Sequence, residues 1–344
     1  MSIDRPTVSV VMAAYNGAAF IGETIATVLA QTMPDLEIVV VDDGSKDDTL
    51  GVLAAIADPR LRVIRAPCNG GPAVARTIAM EHARGRFIAG LDQDDFCRPD
   101  RFARQLAYLA AHPDVVLVGS MIDIFGDKSG RLDPYPRLVD SNAIDWLMTI
   151  LNPLAWSTTM MRGEAARALT PFERDERRFA EDFDLYQRIR AHGRIGRVAE
   201  PLVRYRVHPG GASRAFEEKM ILSAGQVLAD RYGTIFDGGE LVAGTLMSRH
   251  AAARHAPPDI DTLADCGRVL ARLLEVHGGL APAFSGPNAS EIWWRIARTG
   301  LRAGHYGIAD VLRTHPAFAR AADAMKPVLA ADVARGATRR MLRR

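Results

Sequence analysis

Cysteine is scarce in this chain: Cys68, Cys97 and Cys266 are three in 344 residues, and none is spaced Cys-x-x-Cys. That argues against a disulfide framework or a thiolate zinc site and for a reducing compartment, so the expected location is cytoplasmic. Charge of one sign is lacking too. Lys plus Arg number 43 against 41 Asp plus Glu, a net +2, which gives no electrostatic case for nucleic acid as a partner. Only the segment from Arg335 to Arg344 is lopsided, with five arginines and no acid. Long apolar runs are missing. The longest early charge-free stretch, Pro6 to Gly22, is broken by Tyr15-Asn16-Gly17 and is too short to span a bilayer or to serve as a signal peptide, so no targeting segment is visible. There is no internal repeat, no Gly-x-Gly-x-x-Gly after a strand, no P-loop, no His-Glu-x-x-His and no Gly-x-Ser-x-Gly. Dinucleotide, P-loop, zincin and serine-hydrolase readings lose support accordingly.

What is present is an alternation of short apolar runs and helical patterns in a chain of 48% hydrophobic and 24% charged residues. Residues 7–14 are a β-branched run stopped by Asn16-Gly17 and followed by Phe20, Ile21, Ile25, Val28 and Leu29 at helical spacing. The unit recurs: strand 36–41 and helix 47–57, strand 61–64 and helix 72–83, strand 87–91 and helix 99–112, then strand 115–125. Such alternation predicts a mostly parallel α/β sheet covered by helices. Residues 126–137 read as loop, and 145–162, with Trp146, Pro153 and Trp156, as a less periodic part of a mixed sheet and a binding surface. A helix opens at Glu181-Asp182 and 195–207 closes the sheet; beyond about Ser213 the pattern is almost wholly helical, with breaks at Pro257-Pro258 and Gly278 to Gly286.

Phe87-Ile88-Ala89-Gly90-Leu91-Asp92-Gln93-Asp94-Asp95 ends a buried strand in three carboxylates within four residues. Adjacent carboxylates repel by about 4 kcal/mol at an effective dielectric of about 20, so a pocket that keeps them ionised normally supplies a cation, and a hard divalent metal fits oxygen ligands. Alone, such a turn is as readily an ordinary solvated one. Asp42-Asp43-Gly44-Ser45 ends a neighbouring strand and brings a second acidic turn to the same rim, where open α/β sheets bind ligands. A carboxylate there can accept from a base imide or a ribose hydroxyl, or simply cap the next helix. Asn69-Gly70-Gly71-Pro72 offers backbone amides to phosphate, with Arg76 one turn on as added charge. Glu181-Asp182 suits a helix N-terminus electrostatically. Arg204 to Gly211 sets Arg206 and His208 beside a glycine turn, suited to a diphosphate and one metal position.

In order and spacing, Val8 to Gly17, Glu37 to Thr49, Leu91-Asp-Gln-Asp-Asp95, Ala180-Glu-Asp-Phe-Asp-Leu185 and Pro201 to Pro209 together resemble the family 2 glycosyltransferases of GT-A fold, over residues 6–213. The resemblance implies a GT-A catalytic domain over 1–213, with 214–344 a mainly helical region of acceptor, oligomer or membrane-surface role. It implies an inverting, metal-dependent transfer from a UDP- or dTDP-type sugar to an acceptor hydroxyl of a glycan or lipid-linked molecule, in surface polysaccharide or glycolipid synthesis. Ala13, Tyr15, Asp42, Asp43, Arg76, Asp92, Gln93, Asp94, Glu181 and Arg206 would hold the nucleotide sugar. Asp94, Asp95 and His208 would hold Mg²⁺ or Mn²⁺, and Asp182 would be the general base. Thr77 departs from the Asn often found after Ala-Arg in the family. A non-catalytic nucleotide-sugar-binding scaffold is the alternative, against which the retained Asp94, Asp95 and Asp182 argue. Acceptor contacts are expected from 152–161 and the C-terminal helices. Trp293-Trp294 and the arginine-rich end are expected either to rest on anionic lipid, giving peripheral membrane contact, or to be a solvated helix and tail.

Overall fold

The computed structural model describes residues 5–127, 140–208, 216–277, 288–319 and 326–341. The loop expected at 126–137, the glycine turn at 209–211 and the break at 278–286 fall mostly outside them. The chain divides into two compact units, Met1–Ile144 with Pro153–Glu217, and Asp145–Asn152 with Glu218–Arg344.

The first unit is built on one eight-stranded sheet: β1 (Val8–Ala14), β2 (Leu36–Asp42), β3 (Leu61–Arg65), β4 (Phe87–Gly90), β5 (Phe96–Cys97), β6 (Val115–Gly126), β7 (Met160–Arg162) and β8 (Arg194–Val207), in the order β3-β2-β1-β4-β7-β6-β8-β5. β1, β2, β3 and β4 are mutually parallel, as their alternation with α1 (Ile21–Leu29), α2 (Thr49–Ala54) and α3 (Pro72–His82) requires. β2 is buried throughout and β1 everywhere but Ala13, which is why both read as largely apolar runs. β3, at the sheet edge, carries Arg62 and Arg65 and is only part-buried. Two strands were not anticipated. β7, three residues long, runs antiparallel between β4 and β6, and β5, two residues long, pairs antiparallel with β8; neither is long enough to show a period. They make the sheet mixed.

After β5, α4 (Arg101–Ala111) covers the sheet, and its Arg101 is fully buried. The guanidinium donates to the carbonyls of Gly90 at 2.9 Å and Thr159 at 3.0 Å, so the end of β4 is pinned to the strand beside it. Gly90 is required there: a Cβ would come within 2.6 Å of the Trp156 ring. Of residues 152–161, expected to meet an acceptor, all but Asn152 are buried, and Ser157 hydrogen-bonds Asp92 of the acidic turn. The remaining helices of this unit include α5 (Ser141–Leu147), which runs on past its boundary, α6 (Gly163–Arg167) and α7 (Glu181–Ile189).

The second unit is helical: α8 (Glu217–Tyr232), α9 (Glu240–Leu246) running into a π-helical turn over Met247–Ala252, α10 (Ile260–Val276), α11 (Ala289–Ala303), α12 (Ile308–Thr314), α13 (Pro316–Ala319) and α14 (Lys326–Met341). Trp293 and Trp294 on α11 are fully buried, and the Trp294 indole N–H donates to the Phe318 carbonyl at 3.0 Å. The tryptophan pair is therefore core and not a membrane-facing surface, because an amphipathic helix puts its largest apolar groups inward. Among the described residues no helix is long and apolar enough to cross a membrane.

Candidate active site

Three loops meet at the carboxyl ends of β1, β2 and β4, and backbone hydrogen bonding accounts for their shapes. Asp43 is buried; its two oxygens accept from the amides of Gly70 and Gly71 at 2.8 Å each, and its own amide donates to the Ala14 carbonyl at 2.7 Å. Gly71 sits at φ +88°, a conformation that glycine alone adopts freely. Asp43, expected at the nucleotide, thus shapes the loop that leads into α3. Asp42 accepts from the Ser45 amide through Oδ2, while its buried Oδ1 has no hydrogen-bond partner among the described residues. Gln93 grips Tyr15 from both sides, accepting from its amide at 2.9 Å and donating to its carbonyl at 3.1 Å. This leaves the Tyr15 side chain at the surface, 40% exposed, beside the part-exposed Ala13.

The acidic turn separates its three carboxylates. Asp92 pairs with Arg76 at 3.0 Å and accepts from Ser157 at 3.2 Å. Asp94 meets His208 Nε2 at 2.9 Å, and the imidazole packs against Phe20 with ring centroids 5.0 Å apart. Asp95 points inward: Oδ1 accepts from the Arg206 amide at 2.8 Å and Oδ2 is buried with no hydrogen-bond partner among the described residues. Burial, then the charge of Asp92, raises the Asp94 carboxyl, against which the His208 bond acts; burial and the charges of Asp94 and Asp92 push Asp95 well above the usual carboxylate range.

Asp94, Asp95 and His208 do not form the preassembled three-ligand set that was expected, and among the described residues no group of three or more acids, histidines or cysteines is placed to hold a metal. Asp95 is withdrawn because the Arg206 amide holds it. Asp94 with His208 nevertheless fits a Mg²⁺ or Mn²⁺ site of the kind that takes one or two protein groups and completes its shell with phosphate oxygens and water.

Two arginines expected at the diphosphate are already committed. The Arg206 guanidinium lies over the rings of Phe20, Phe96 and Phe125 at 4.6–4.8 Å, donates to the Asp94 carbonyl at 3.0 Å and pairs with Glu23 at 3.3 Å. Arg76 is buried over the Trp156 ring at 4.6 Å and pairs with Asp92 at 3.0 Å, Glu173 at 3.3 Å and Glu181 at 3.6 Å. Burial opposes its charge, but Glu173, Asp92, Glu181 and Asp182 together keep the guanidinium firmly protonated. Asp182 stands at the first turn of α7, half-buried, and accepts from the Phe183 amide at 2.7 Å.

Glu173 escaped sequence reasoning. It lies in the charge-rich, aperiodic run Phe172-Glu-Arg-Asp-Glu-Arg-Arg178, which offers no pattern to set one acid apart. Its side chain is fully buried, and burial pushes its carboxyl up to about 8 even beside Arg76. Thr77, where the family pattern often has Asn, accepts from the Glu173 amide at 3.2 Å.

A mixed, mostly parallel sheet with two acidic turns at its rim and a helix led by Glu181-Asp182 is the architecture of a GT-A glycosyltransferase, and comparison with known proteins agrees. Residues 9–169 match Glycosyl transferase family 2. The putative glycosyltransferase EpsE of Bacillus subtilis is 32% identical over 195 residues, 55% of this chain and 68% of EpsE. The succinoglycan biosynthesis protein ExoO of Rhizobium meliloti is 49% identical over 106 residues, 30% of each chain, so this chain spans less than a third of that relative. Among solved structures, the mannosyltransferase PcManGT of Pyrobaculum calidifontis, in complex with GDP-Man and Mn²⁺, superposes with a TM-score of 0.55 at 19% identity, covering 94% of this chain and 87% of PcManGT. That likeness is one of fold. The chain belongs to the family 2 glycosyltransferases, and it is an enzyme of sugar transfer.

Proposed function

We propose that this glycosyltransferase moves a sugar from a nucleoside-diphosphate donor, of UDP or dTDP type, to an acceptor hydroxyl with inversion at the anomeric carbon, in the synthesis of a surface polysaccharide or glycolipid. The observation that carries the reading is the pairing of two chemically distinct sites on one sheet rim: the Asp94–His208 contact at 2.9 Å and the half-buried Asp182 at the start of α7. Asp94 and His208 would hold the divalent cation, which when bound neutralises charge on the diphosphate leaving group. Ala13 and Tyr15 border the space for base and ribose, with the Asp42-Asp43 turn shaping its floor. Asp182 accepts the acceptor's proton as that oxygen attacks, the bond from the anomeric carbon to the diphosphate breaks, and the nucleotide departs with the electron pair. A single displacement inverts configuration. The named role of ExoO in succinoglycan biosynthesis supports a polysaccharide or related glycan as product.

The test incubates the full chain with UDP- and dTDP-sugars and GDP-mannose, with Mn²⁺, Mg²⁺ or EDTA, and follows nucleotide release and product anomer by NMR. Release that needs the metal, and an inverted product, are expected. Nucleotide binding without turnover on any donor would favour the scaffold instead. For location we propose the cytoplasm, with peripheral contact at the inner membrane face through α14, where Arg335 and Arg339 are exposed. Flotation of the full chain with phosphatidylglycerol vesicles, compared with a chain ending near Ala330, checks it; equal recovery removes the membrane contact.

A further inference from the structure

One buried cation stands among four acids drawn from three separate stretches of chain. Arg76 of α3 touches Asp92 of the acidic turn, Glu173 of the segment before α7, and Glu181 at the first position of α7, and the field of Asp182 reaches both Arg76 and Glu173. The stretch 171–173 is fastened on every side. Glu173 pairs with Arg76 and its amide donates to Thr77, so two consecutive residues of α3 hold it. Phe172 packs edge-on against Trp156, the ring beneath Arg76, at 6.3 Å. From the other side Arg188 of α7 donates to the carbonyls of Pro171 at 2.9 Å and Phe172 at 2.6 Å, and is itself held by Asp184 at 2.7 Å. Residues 171–173 are thus a strap between α3 and α7, and Glu173 is its hydrogen-bonded hold on Arg76.

We infer that Glu173 is a positioning residue for sugar transfer: through Arg76 it fixes the start of α7, and with it Asp182, relative to the acidic turn. The inference rests on Asp182 being the base. A guanidinium has a rigid planar fork, and only when one side is anchored does it present fixed N–H groups to the others. Without Glu173, Arg76 is shared between Asp92 and Glu181 alone, and the separation of base and acidic turn is no longer set. A displacement near 1 Å in such a pair costs on the order of 100-fold in rate without loosening ground-state binding.

The experiment uses the full chain with UDP-glucose, UDP-N-acetylglucosamine and GDP-mannose in parallel, each with Mn²⁺, reading nucleotide release, and hydrogen exchange of the α7 amides by mass spectrometry. Glu173→Met, which keeps the buried volume but offers Arg76 no acceptor, is expected to lower kcat by roughly 10- to 100-fold with donor KM changed less than about threefold, and to speed α7 exchange about tenfold. Glu173→Gln, which restores an oxygen, is expected to return kcat to within about threefold of the parent, a rescue that mere packing would not give. Arg76→Lys keeps the charge but not the fork and should match Glu173→Met, and the double variant should be no worse than either. Wild-type kcat and exchange in Glu173→Met, or strictly additive losses in the double variant, overturn the inference while leaving the base intact. An Asp182→Asn enzyme as active as the parent overturns the base assignment instead. Should Glu173→Met fail to fold, Arg76→Lys and the exchange of Glu173→Gln decide.

Discussion

The rim of the sheet and the helical unit use charge in opposite ways. At the rim, a buried guanidinium is outnumbered by carboxylates, and Asp42, Asp95 and Glu181 each keep a buried oxygen with no hydrogen-bond partner among the described residues. In the helical unit the acids of the described ion pairs are exposed, as Glu218 and Glu275 are, or half-exposed, as Asp265 and Asp310 are, with Asp332 the exception, and the interior is given to Trp293, Trp294, Leu270 and Leu273. Buried unpaired carboxylate oxygens are costly, so a fold selected for stability alone would not gather them. Their concentration at one rim is the pattern expected of a working site, and the buried apolar groups of the helical unit are the pattern of a packed core.

The sharpest way to break that contrast is to remove one charge from the rim. Asp182→Asn is nearly isosteric and should lower nucleotide release by roughly 10²- to 10⁴-fold while leaving the melting temperature within about 2 °C. Comparable losses of stability and activity would mean that Asp182 is structural. The converse change is Trp294→Ala in the helical unit, which deletes a fully buried indole and its hydrogen bond to Phe318. It should cost about 3–5 kcal/mol in a denaturant titration. A loss below about 1 kcal/mol would show that the tryptophan is not the core residue its burial indicates.

How much of this contrast was legible beforehand depends on whether a feature is local. The strands β1, β2, β4 and β6 announce themselves through largely apolar runs, which after β2 and β4 end in acidic turns, because burial on both faces leaves a near-continuous signature. Asp94 with His208 was expected together, and they meet at 2.9 Å. What stayed hidden needed the third dimension. That Asp95 turns inward depends on the Arg206 amide 111 residues away, and that Arg76 is claimed by Glu173 depends on a residue 97 positions on. β5 and β7 are too short to carry a period, and residues 145–152 group with the helical unit although their composition does not set them apart from residues 153–161. Trp293-Trp294, expected either on lipid or on a solvated helix, is in fact core, because which face of a helix is covered depends on partners distant in sequence.

Two gentler measurements sharpen the contrast. Because burial raises the Glu173 carboxyl to about 8, the folded protein keeps a proton there that the unfolded chain has already released. Between the unfolded value, about 4.5, and about 8 the folded state therefore binds more protons than the unfolded one, and this group's contribution to stability falls as pH rises. Asp94, raised by burial and the charge of Asp92, and Asp95, raised by burial and the charges of Asp94 and Asp92, act in the same direction. Melting temperature recorded with EDTA from pH 5 to pH 8 should decline, and Glu173→Gln, which cannot ionise, should flatten part of that decline without reversing it. An identical slope in both proteins would show that Glu173 is already ionised in the fold and that Arg76 carries a full ion pair with it.

The smallest effect is expected where the helical unit displays its charge. Glu218 is 62% exposed and forms a two-pronged pair with Arg249, both contacts at 2.8 Å, and that pairing lowers its carboxyl below the usual range. An acid of this sort stabilises the fold above its unfolded value and loses that contribution as pH falls through its folded one, the reverse of Glu173. Solvent and salt screen an exposed pair nearly completely, however good its geometry. Glu218→Gln should thus shift the melting temperature by no more than about 1 °C at pH 7, and raising the salt concentration should only shrink that small difference. A drop as large as that of a buried substitution, abolished by salt, would mean that the helical unit also depends on an electrostatic network, and the division of labour between rim and helices would have to be redrawn.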